Sequence, residues 1–94
     1  MKHIELDFSN YHSIEELHEA LKSAFRFPDY YGANLDALWD CMRDLDGIGS
    51  VIVSIKGISG WLNQAYYGDY ANRLLGIFED VHREYPEITF EIVS

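Results

Sequence analysis

The stretch "SVIVSI", Ser50 to Ile55, carries apolar and mostly β-branched side chains at nearly every position. A strand with one wet face alternates apolar and polar residues, whereas a strand inside a parallel sheet reads as an almost continuous apolar run. The stretch therefore predicts a central strand that is buried on both faces.

Segments near the two ends of the chain predict one further strand each. Both "HIELDF" at the start and "EITFEIV" at the end place an apolar residue at every second position. This period is typical of a half-buried strand. The residues predicted to face inward are Ile4, Leu6, Phe8, Ile88, Phe90 and Ile92.

Helical patterns fill the first gap between these strands. Ser13 followed by Glu16 predicts a capping box at the start of a first helix, which ends before Pro28. Asn34 predicts the N-cap of a second helix that reaches about Leu45.

The second gap holds two predicted helical segments. "SGWLNQAYYGD" is ambiguous, and we interpret it as a short helix or turn with Trp61 and Leu62 packed inward. Asp69 predicts the cap of a long helix that runs to Tyr85. The order β, α, α, β, short α, α, β predicts a single α/β domain over residues 1–94, with a three-stranded parallel sheet packed with helices.

Charge narrows the possible partners. The 94 residues include 16 acidic and seven basic side chains, for a net charge of -9. Phosphate contacts require clustered Lys and Arg, so direct nucleic-acid binding is not expected. A surface of this charge suits a basic protein partner, although an acidic excess also serves solubility alone.

The cellular setting is predicted from what the sequence contains. Cys41 is the only cysteine, so no disulfide forms within the chain, and "MKHIELDFSN" alternates where a secretory signal needs an apolar block. No run approaches the roughly 20 apolar residues that cross a bilayer. We therefore expect a cytoplasmic protein with no membrane association.

The stretch "FPDYYGANLDALWDCM", Phe27 to Met42, suggests where a partner binds. On a helical wheel the apolar arc consists of Leu35, Leu38, Met42 and Leu45. Asp36, Asp40 and Asp44, here termed the acidic ridge, repeat at four-residue intervals beside Trp39. Like charges at this spacing destabilise a helix by about 0.2–0.5 kcal/mol per pair. The alternatives are a solvated helix face and a face that a basic partner neutralises.

The loop before this helix favours the second alternative. Tyr30 and Tyr31 lie between Pro28 and Gly32, and tyrosine and tryptophan dominate binding hot spots. We expect one of the two tyrosines to fold back onto the core. A further acidic pair, Asp80 and Glu84, lies one helical turn apart on the last helix, and for Glu84 a solvated flank is the preferred interpretation.

Other chemistries fit the sequence poorly. The four histidines are scattered and Cys41 stands alone, so neither a metal site nor a Cys-His nucleophile is expected. An acid/base pair such as Asp36 with Asp40 would need one carboxylate in an apolar pocket. "GIGS" lacks the pattern of a phosphate-binding loop, and we expect no cofactor.

The stretch Phe27 to Met42, here termed the signature stretch, resembles the barstar-like family, the intracellular inhibitors of barnase-type ribonucleases. The resemblance implies an α/β fold with three parallel strands, no catalysis, and inhibition by occlusion of the nuclease active site. It assigns partner binding to Tyr30, Asn34, Asp36, Trp39 and Asp40, with Asp40 in the pocket meant for the RNA phosphate. It also assigns partner binding to Asp80 on the last long helix. We add Asp44 to the predicted partner-binding residues because it belongs to the acidic ridge.

The sequence departs from the best-known member of the family after Cys41. Arg43, Asp44 and Leu45 stand where the best-known member has a small polar residue, a glycine and a tryptophan. The implied partner is therefore a basic, secreted ribonuclease of the barnase type or a related toxin domain, in an antitoxin or immunity role. A barstar-fold interaction module for another basic protein, and a small acidic hydrolase, are the other hypotheses.

Overall fold

The predicted order of strands and helices is confirmed. A computed structural model of the chain describes residues 2–44 and 49–93. In chain order the elements are β1 (Lys2–Asp7), a 3-10 turn (Phe8–Asn10), α1 (Ile14–Phe25), α2 (Leu35–Arg43), β2 (Val51–Lys56), α3 (Ser59–Leu62), α4 (Ala65–Glu84) and β3 (Ile88–Val93). The strands form one sheet in the order β1, β2, β3, with both pairs parallel. The α/β class and the three-stranded parallel sheet are therefore correct.

The central strand β2 is fully buried on the face that the helices cover, so the prediction of burial on both faces is only partly correct. Val51, Val53 and Ile55 have no exposed surface and meet the helices. On the opposite face Ser54 is buried and hydrogen-bonded to His3, with 2.6 Å between Oγ and Nε2. Its neighbours on that face, Ile52 and Lys56, are only half-buried, so burial is complete on the helix side alone.

Three helices supply the core that covers the sheet. Their buried apolar residues are Leu17, Leu21 and Phe25 of α1, Leu38 and Met42 of α2, and Ala71, Leu74, Phe78 and Val81 of α4. Phe78 also stacks on Phe90 of β3, with ring centroids 4.3 Å apart. The 3.6-residue spacing of these positions explains why each helix buries one face.

The start of α1 differs in detail from a capping box. The Ser13 hydroxyl accepts a hydrogen bond from the Glu16 amide, as predicted. The Glu16 carboxylate, however, accepts from the amide of His12, one residue before the N-cap. Arg26 closes the helix in a left-handed conformation, with φ 56°.

The long helix α4 begins at Ala65, so the prediction of a cap at Asp69 is wrong. Gln64 is the N-cap, and Asp69 lies inside the helix, where it forms an ion pair with Arg73 at 3.3 Å. Gly68 lies in the early part of this helix, and a Cβ there would lie 2.7 Å from the Leu62 carbonyl oxygen. Glycine thus lets α3 approach the first turn of α4 closely.

Two residues predicted to face inward are exposed. Trp61 is buried, and its indole N–H donates to the Tyr11 carbonyl, but this orientation of the single turn α3 leaves Leu62 outward. Ile92 is 59% exposed although it pairs with Ile55. It borders an open cleft of about 230 Å³ between α4 and β3 that no helix fills.

Candidate functional site

Asn34 fixes where α2 begins. Its side-chain oxygen accepts from the Ala37 amide at 2.8 Å, and its amide group donates to the Gly32 carbonyl at 3.2 Å. Ala33 precedes it in a left-handed conformation, with φ 52°, which turns the chain from the loop into the helix. The predicted N-cap is therefore correct, and the Asn34 side chain already makes two local hydrogen bonds.

The acidic ridge lies on the solvent side of α2. Asp36, Asp40 and Asp44 are exposed, whereas Leu38 and Met42 are fully buried on the opposite side. Trp39 is half-buried between the ridge and the core. The helical wheel thus predicted the burial of Leu38 and Met42 correctly, whereas Leu35 on the same arc is only half-buried.

The predicted length of α2 needs one correction. The helix ends at Arg43, and Asp44 is its C-cap, with φ -99° and ψ 13°. The Asp44 amide still donates to the Cys41 carbonyl at 3.1 Å. The predicted core position of Leu45 lies outside the described residues.

The end of α2 is attached to the end of α4. The Tyr85 hydroxyl donates to the Arg43 carbonyl at 2.9 Å and so satisfies one of the carbonyls that a helix end leaves unpaired. Arg43 Nε lies 3.6 Å from Glu84 Oε2, and its guanidinium carbon lies 5.6 Å from the centre of the Trp39 ring. These contacts hold the C-terminal half of the ridge in place.

Two depressions meet at Asp44. One, of about 430 Å³, is lined by Asp40, Arg43, Asp44 and Tyr85. The other, of about 100 Å³, is lined by Arg26, Phe27, Pro28, Tyr30, Cys41 and Asp44. Because Asp44 belongs to both, Tyr30 and two ridge acids share one surface.

Asp80 and Glu84 of α4 each contact an arginine of the chain. Asp80 accepts a hydrogen bond from Arg83 at 3.0 Å and lines neither depression. Glu84 contacts Arg43, so it borders the ridge although the sequence favoured a solvated flank. Helices α2 and α4 pack against each other, so Asp80 lies on the helix that neighbours the ridge.

The paired loop tyrosines have different environments, as expected. Tyr30 is 84% exposed. Tyr31 is half-buried, and its hydroxyl is hydrogen-bonded to Nδ1 of the buried His18 at 2.5 Å. The other ring nitrogen of His18 is hydrogen-bonded to the Tyr70 hydroxyl, also at 2.5 Å. His18 therefore ties the loop to α1 and α4.

Burial lowers the pKa of His18 below its usual value, and Glu15 opposes this shift in part. Burial also raises the pKa of Tyr31 and of Tyr70, so both phenols are neutral near pH 7. The structure thus favours an uncharged imidazole between two uncharged phenols.

This environment predicts that acid weakens the fold through His18. The unfolded chain binds the proton with a pKa of about 6.5, while the folded chain binds it only at lower pH. The free energy of unfolding should therefore fall as pH decreases from about 6.5 towards the folded-state pKa, and His18 should contribute no slope well above 6.5. Urea unfolding of the parent and of His18→Gln between pH 5 and 8 measures this. Parallel pH profiles would contradict it.

Cys41 and the candidate metal ligands were the other chemical groups singled out by the sequence. Burial, Asp44 and Asp40 all raise the pKa of the Cys41 thiol, which makes it a poor nucleophile near pH 7. Within residues 2–44 and 49–93 no group of His, Cys, Asp and Glu side chains could hold a metal ion. No helix in the described part of the chain is long and apolar enough to cross a membrane.

Sequence reasoning missed two residues that organise the surface. The sequence identifies Tyr85 only as a helix end, although the hydroxyl of a packed tyrosine usually has a hydrogen-bond partner. It also shows His18 only as one of four scattered histidines. Its position between Leu17 and Leu21 on the apolar side of α1 was the available signal.

These features define a small α/β protein whose distinctive surface is an acidic helix flanked by aromatic side chains. The family model "Barstar (barnase inhibitor)" matches residues 1–93, and the chain belongs to the barstar family. A protein of Bacillus subtilis (strain 168) described as "Putative ribonuclease inhibitor YrdF" is 34% identical over 93 residues, which cover 99% of this chain and 98% of that relative. The resemblance of the signature stretch is thereby confirmed.

Proposed function

We propose that this protein inhibits a secreted, guanyl-specific ribonuclease of the barnase type by covering its active site with the acidic ridge and the Tyr30 loop. Membership of the barstar family is the observation that carries the proposal. The name of the Bacillus subtilis relative, a putative ribonuclease inhibitor, supports it.

The charge of the surface supports the same function. A ribonuclease active site binds phosphates with arginine, lysine and histidine, so it presents cations to any protein that covers it. Asp40 is exposed at the middle of the ridge and lines the larger depression, next to Asp44. In the complex its carboxylate would take the place of an RNA phosphate and accept charge-assisted hydrogen bonds from arginines.

Flanking residues supply the apolar contact that carboxylates lack. Tyr30 offers an exposed ring at one end of the surface. Trp39 is half-buried beside the ridge and packs against the core. Asn34 is exposed at the start of α2, which its side chain caps, and we assign it to the contact surface together with Asp36 and Asp80. Tyrosine and tryptophan beside desolvated charge pairs are the usual composition of a binding hot spot.

The ridge is better suited to inhibition than to hydrolysis. A carboxylate acid/base pair needs one member whose pKa is raised by an apolar pocket. Asp36 and Asp40 are both exposed on the outer side of one helix. An inhibitor needs only that such acids remain charged and accessible.

Titration of nuclease activity tests the proposal. The purified protein is added to barnase, and separately to secreted guanyl-specific homologues of barnase, and RNA cleavage is followed. We expect activity to fall linearly to zero at one equivalent for at least one of these enzymes. Undiminished cleavage by all of them at a large excess of the protein would reject the proposal in favour of a different basic partner.

Salt should slow association strongly. An acidic face that meets a basic active site raises the association rate by a factor of about 10 to 1,000, and ions screen this steering. We therefore expect the association rate constant to fall at least about tenfold between 0.05 M and 0.5 M NaCl, with a smaller change in dissociation. Stopped-flow fluorescence of the inhibited pair measures both. An association rate that ignores salt would contradict electrostatic steering.

A further inference from the structure

Like Arg26 in the smaller depression, Arg43 is a cation beside the acids of the ridge. It lines the larger depression together with Asp40 and Asp44, and its side chain is 54% exposed. A partner that offered only positive charge would be repelled at this point. The position therefore needs an explanation beyond general electrostatic attraction.

The Arg43 side chain already contacts two residues of its own chain before any partner arrives. The Trp39 ring lies 5.6 Å from its guanidinium carbon, and Glu84 lies 3.6 Å from its Nε atom. The Tyr85 hydroxyl fixes the backbone of the same residue. An ordered arginine loses less side-chain entropy on binding than a mobile one, which favours its use in recognition.

Within residues 2–44 and 49–93, most of the hydrogen-bonding capacity of the Arg43 guanidinium is unused. A guanidinium has five N–H donors, and the Glu84 contact at 3.6 Å is longer than a hydrogen bond. Among residues 2–44 and 49–93, no acceptor forms a hydrogen bond with this guanidinium. Its two terminal amino groups have the geometry that binds a carboxylate through two parallel hydrogen bonds.

We propose that Arg43 selects the partner by binding a carboxylate on the nuclease, close to the basic groups that receive Asp40 and Asp44. This inference rests on the proposed function and specifies the partner further. The matching nuclease has an aspartate or glutamate at the rim of its active site, and a nuclease with a lysine or arginine there is rejected. Specificity of this kind comes from an added repulsion as much as from an added attraction.

Charge reversal at Arg43 separates this role from simple charge balance. Arg43→Glu makes the protein more acidic by two charges, so long-range attraction to a basic nuclease would become stronger. A lost carboxylate contact has the opposite sign. We expect the dissociation constant for a nuclease that the parent inhibits to rise at least about 30-fold, and Arg43→Lys to lose part of the affinity because it lacks the paired donors.

Lys56→Glu is the matched control. Lys56 also forms an ion pair, with Glu5 at 3.0 Å, but it alternates with Ile55 along β2 and so lies on the sheet face away from the helices. The substitution makes the same change of two charges. We expect its dissociation constant to stay within about threefold of the parent. Urea unfolding of every variant shows whether the folded state is retained.

The nuclease side completes the experiment. Each aspartate and glutamate near the active site of barnase, or of the homologue that the parent inhibits best, is changed to lysine and assayed against the parent and Arg43→Glu. We expect one such variant to lose affinity for the parent and to regain at least about tenfold with Arg43→Glu. If Arg43→Glu binds as tightly as the parent or more tightly, or if no acid couples to it, the inference is wrong while the proposed function stands. If the parent inhibits none of the enzymes, the proposed function fails and this inference fails with it.

Discussion

Replacement of Asp40 by alanine should abolish most of the inhibition and leave the fold intact. In the complex the change would leave buried nuclease arginines without a partner. Truncation of one member of a buried charge pair costs about 2–5 kcal/mol, which is a rise in the dissociation constant of roughly 30-fold to several thousand-fold. Most of the change should appear as faster dissociation.

The same substitution should have little effect on the stability of the free protein. Asp40 is exposed and lies one turn from Asp36 and from Asp44, so its removal relieves repulsion. Alanine also has the higher helix propensity. We expect the free energy of unfolding in urea to stay within about 0.5 kcal/mol of the parent or to rise slightly. Glu19→Ala, an exposed acid on α1, is the control and should change neither property.

Two outcomes would overturn the role of Asp40. If Asp40→Ala unfolds the protein, the residue has a structural role that its exposure does not indicate. If the variant folds and inhibits as well as the parent, the nuclease binds elsewhere. The two measurements together separate a loss of binding from a loss of structure.

Leu38→Ala should have the opposite effect. Leu38 lies two residues before Asp40 on the same helix, but it has no exposed surface and packs in the core. Removal of three buried carbon atoms loses their transfer free energy and leaves a cavity, at a cost of about 2–5 kcal/mol. Urea or thermal unfolding measures this destabilisation directly.

The surface of Leu38→Ala should survive wherever the protein is still folded. Its affinity for the nuclease, measured at low temperature and corrected for the folded fraction, should stay within about threefold of the parent. A destabilisation below 1 kcal/mol would show that α2 is not packed as described. A large loss of affinity in fully folded protein would show that the ridge depends on core packing more than on its own charges.

The order of strands and helices could be predicted because hydrophobic spacing reports burial directly. "SVIVSI" marked the central strand, and the alternation around Ile4 and Leu6 marked an edge strand. The wheel of α2 separated the ridge from Leu38 and Met42 because a helix at the protein surface buries one apolar stripe and exposes the opposite side. These signals are local, and each needs no knowledge of the neighbouring element.

The errors arose where distant contacts decide the structure. α4 begins at Ala65, and Gly68 near its start lets α3 approach closely, a contact that spacing within the helix cannot reveal. Ile92 is exposed because the helix beside it leaves a cleft, although its own period is regular. The link from Tyr85 to Arg43 joins residues 42 positions apart. The pairing of Tyr85 with Arg43 follows from the packing of α2 on α4 and has no local sequence signal.

Competition with a nucleotide tests the central claim, that the acidic ridge occupies the phosphate-binding active site of a ribonuclease. The free ribonuclease that the protein inhibits is titrated calorimetrically with the protein. The titration is repeated at several concentrations of guanosine 3′-phosphate, from zero to saturating. If both ligands occupy one site, the apparent dissociation constant of the protein should rise in proportion to the nucleotide concentration. The Asp40→Ala variant should show the same competition with weaker binding. An apparent dissociation constant that the nucleotide leaves unchanged would contradict the account, because protein and nucleotide would then bind the enzyme together.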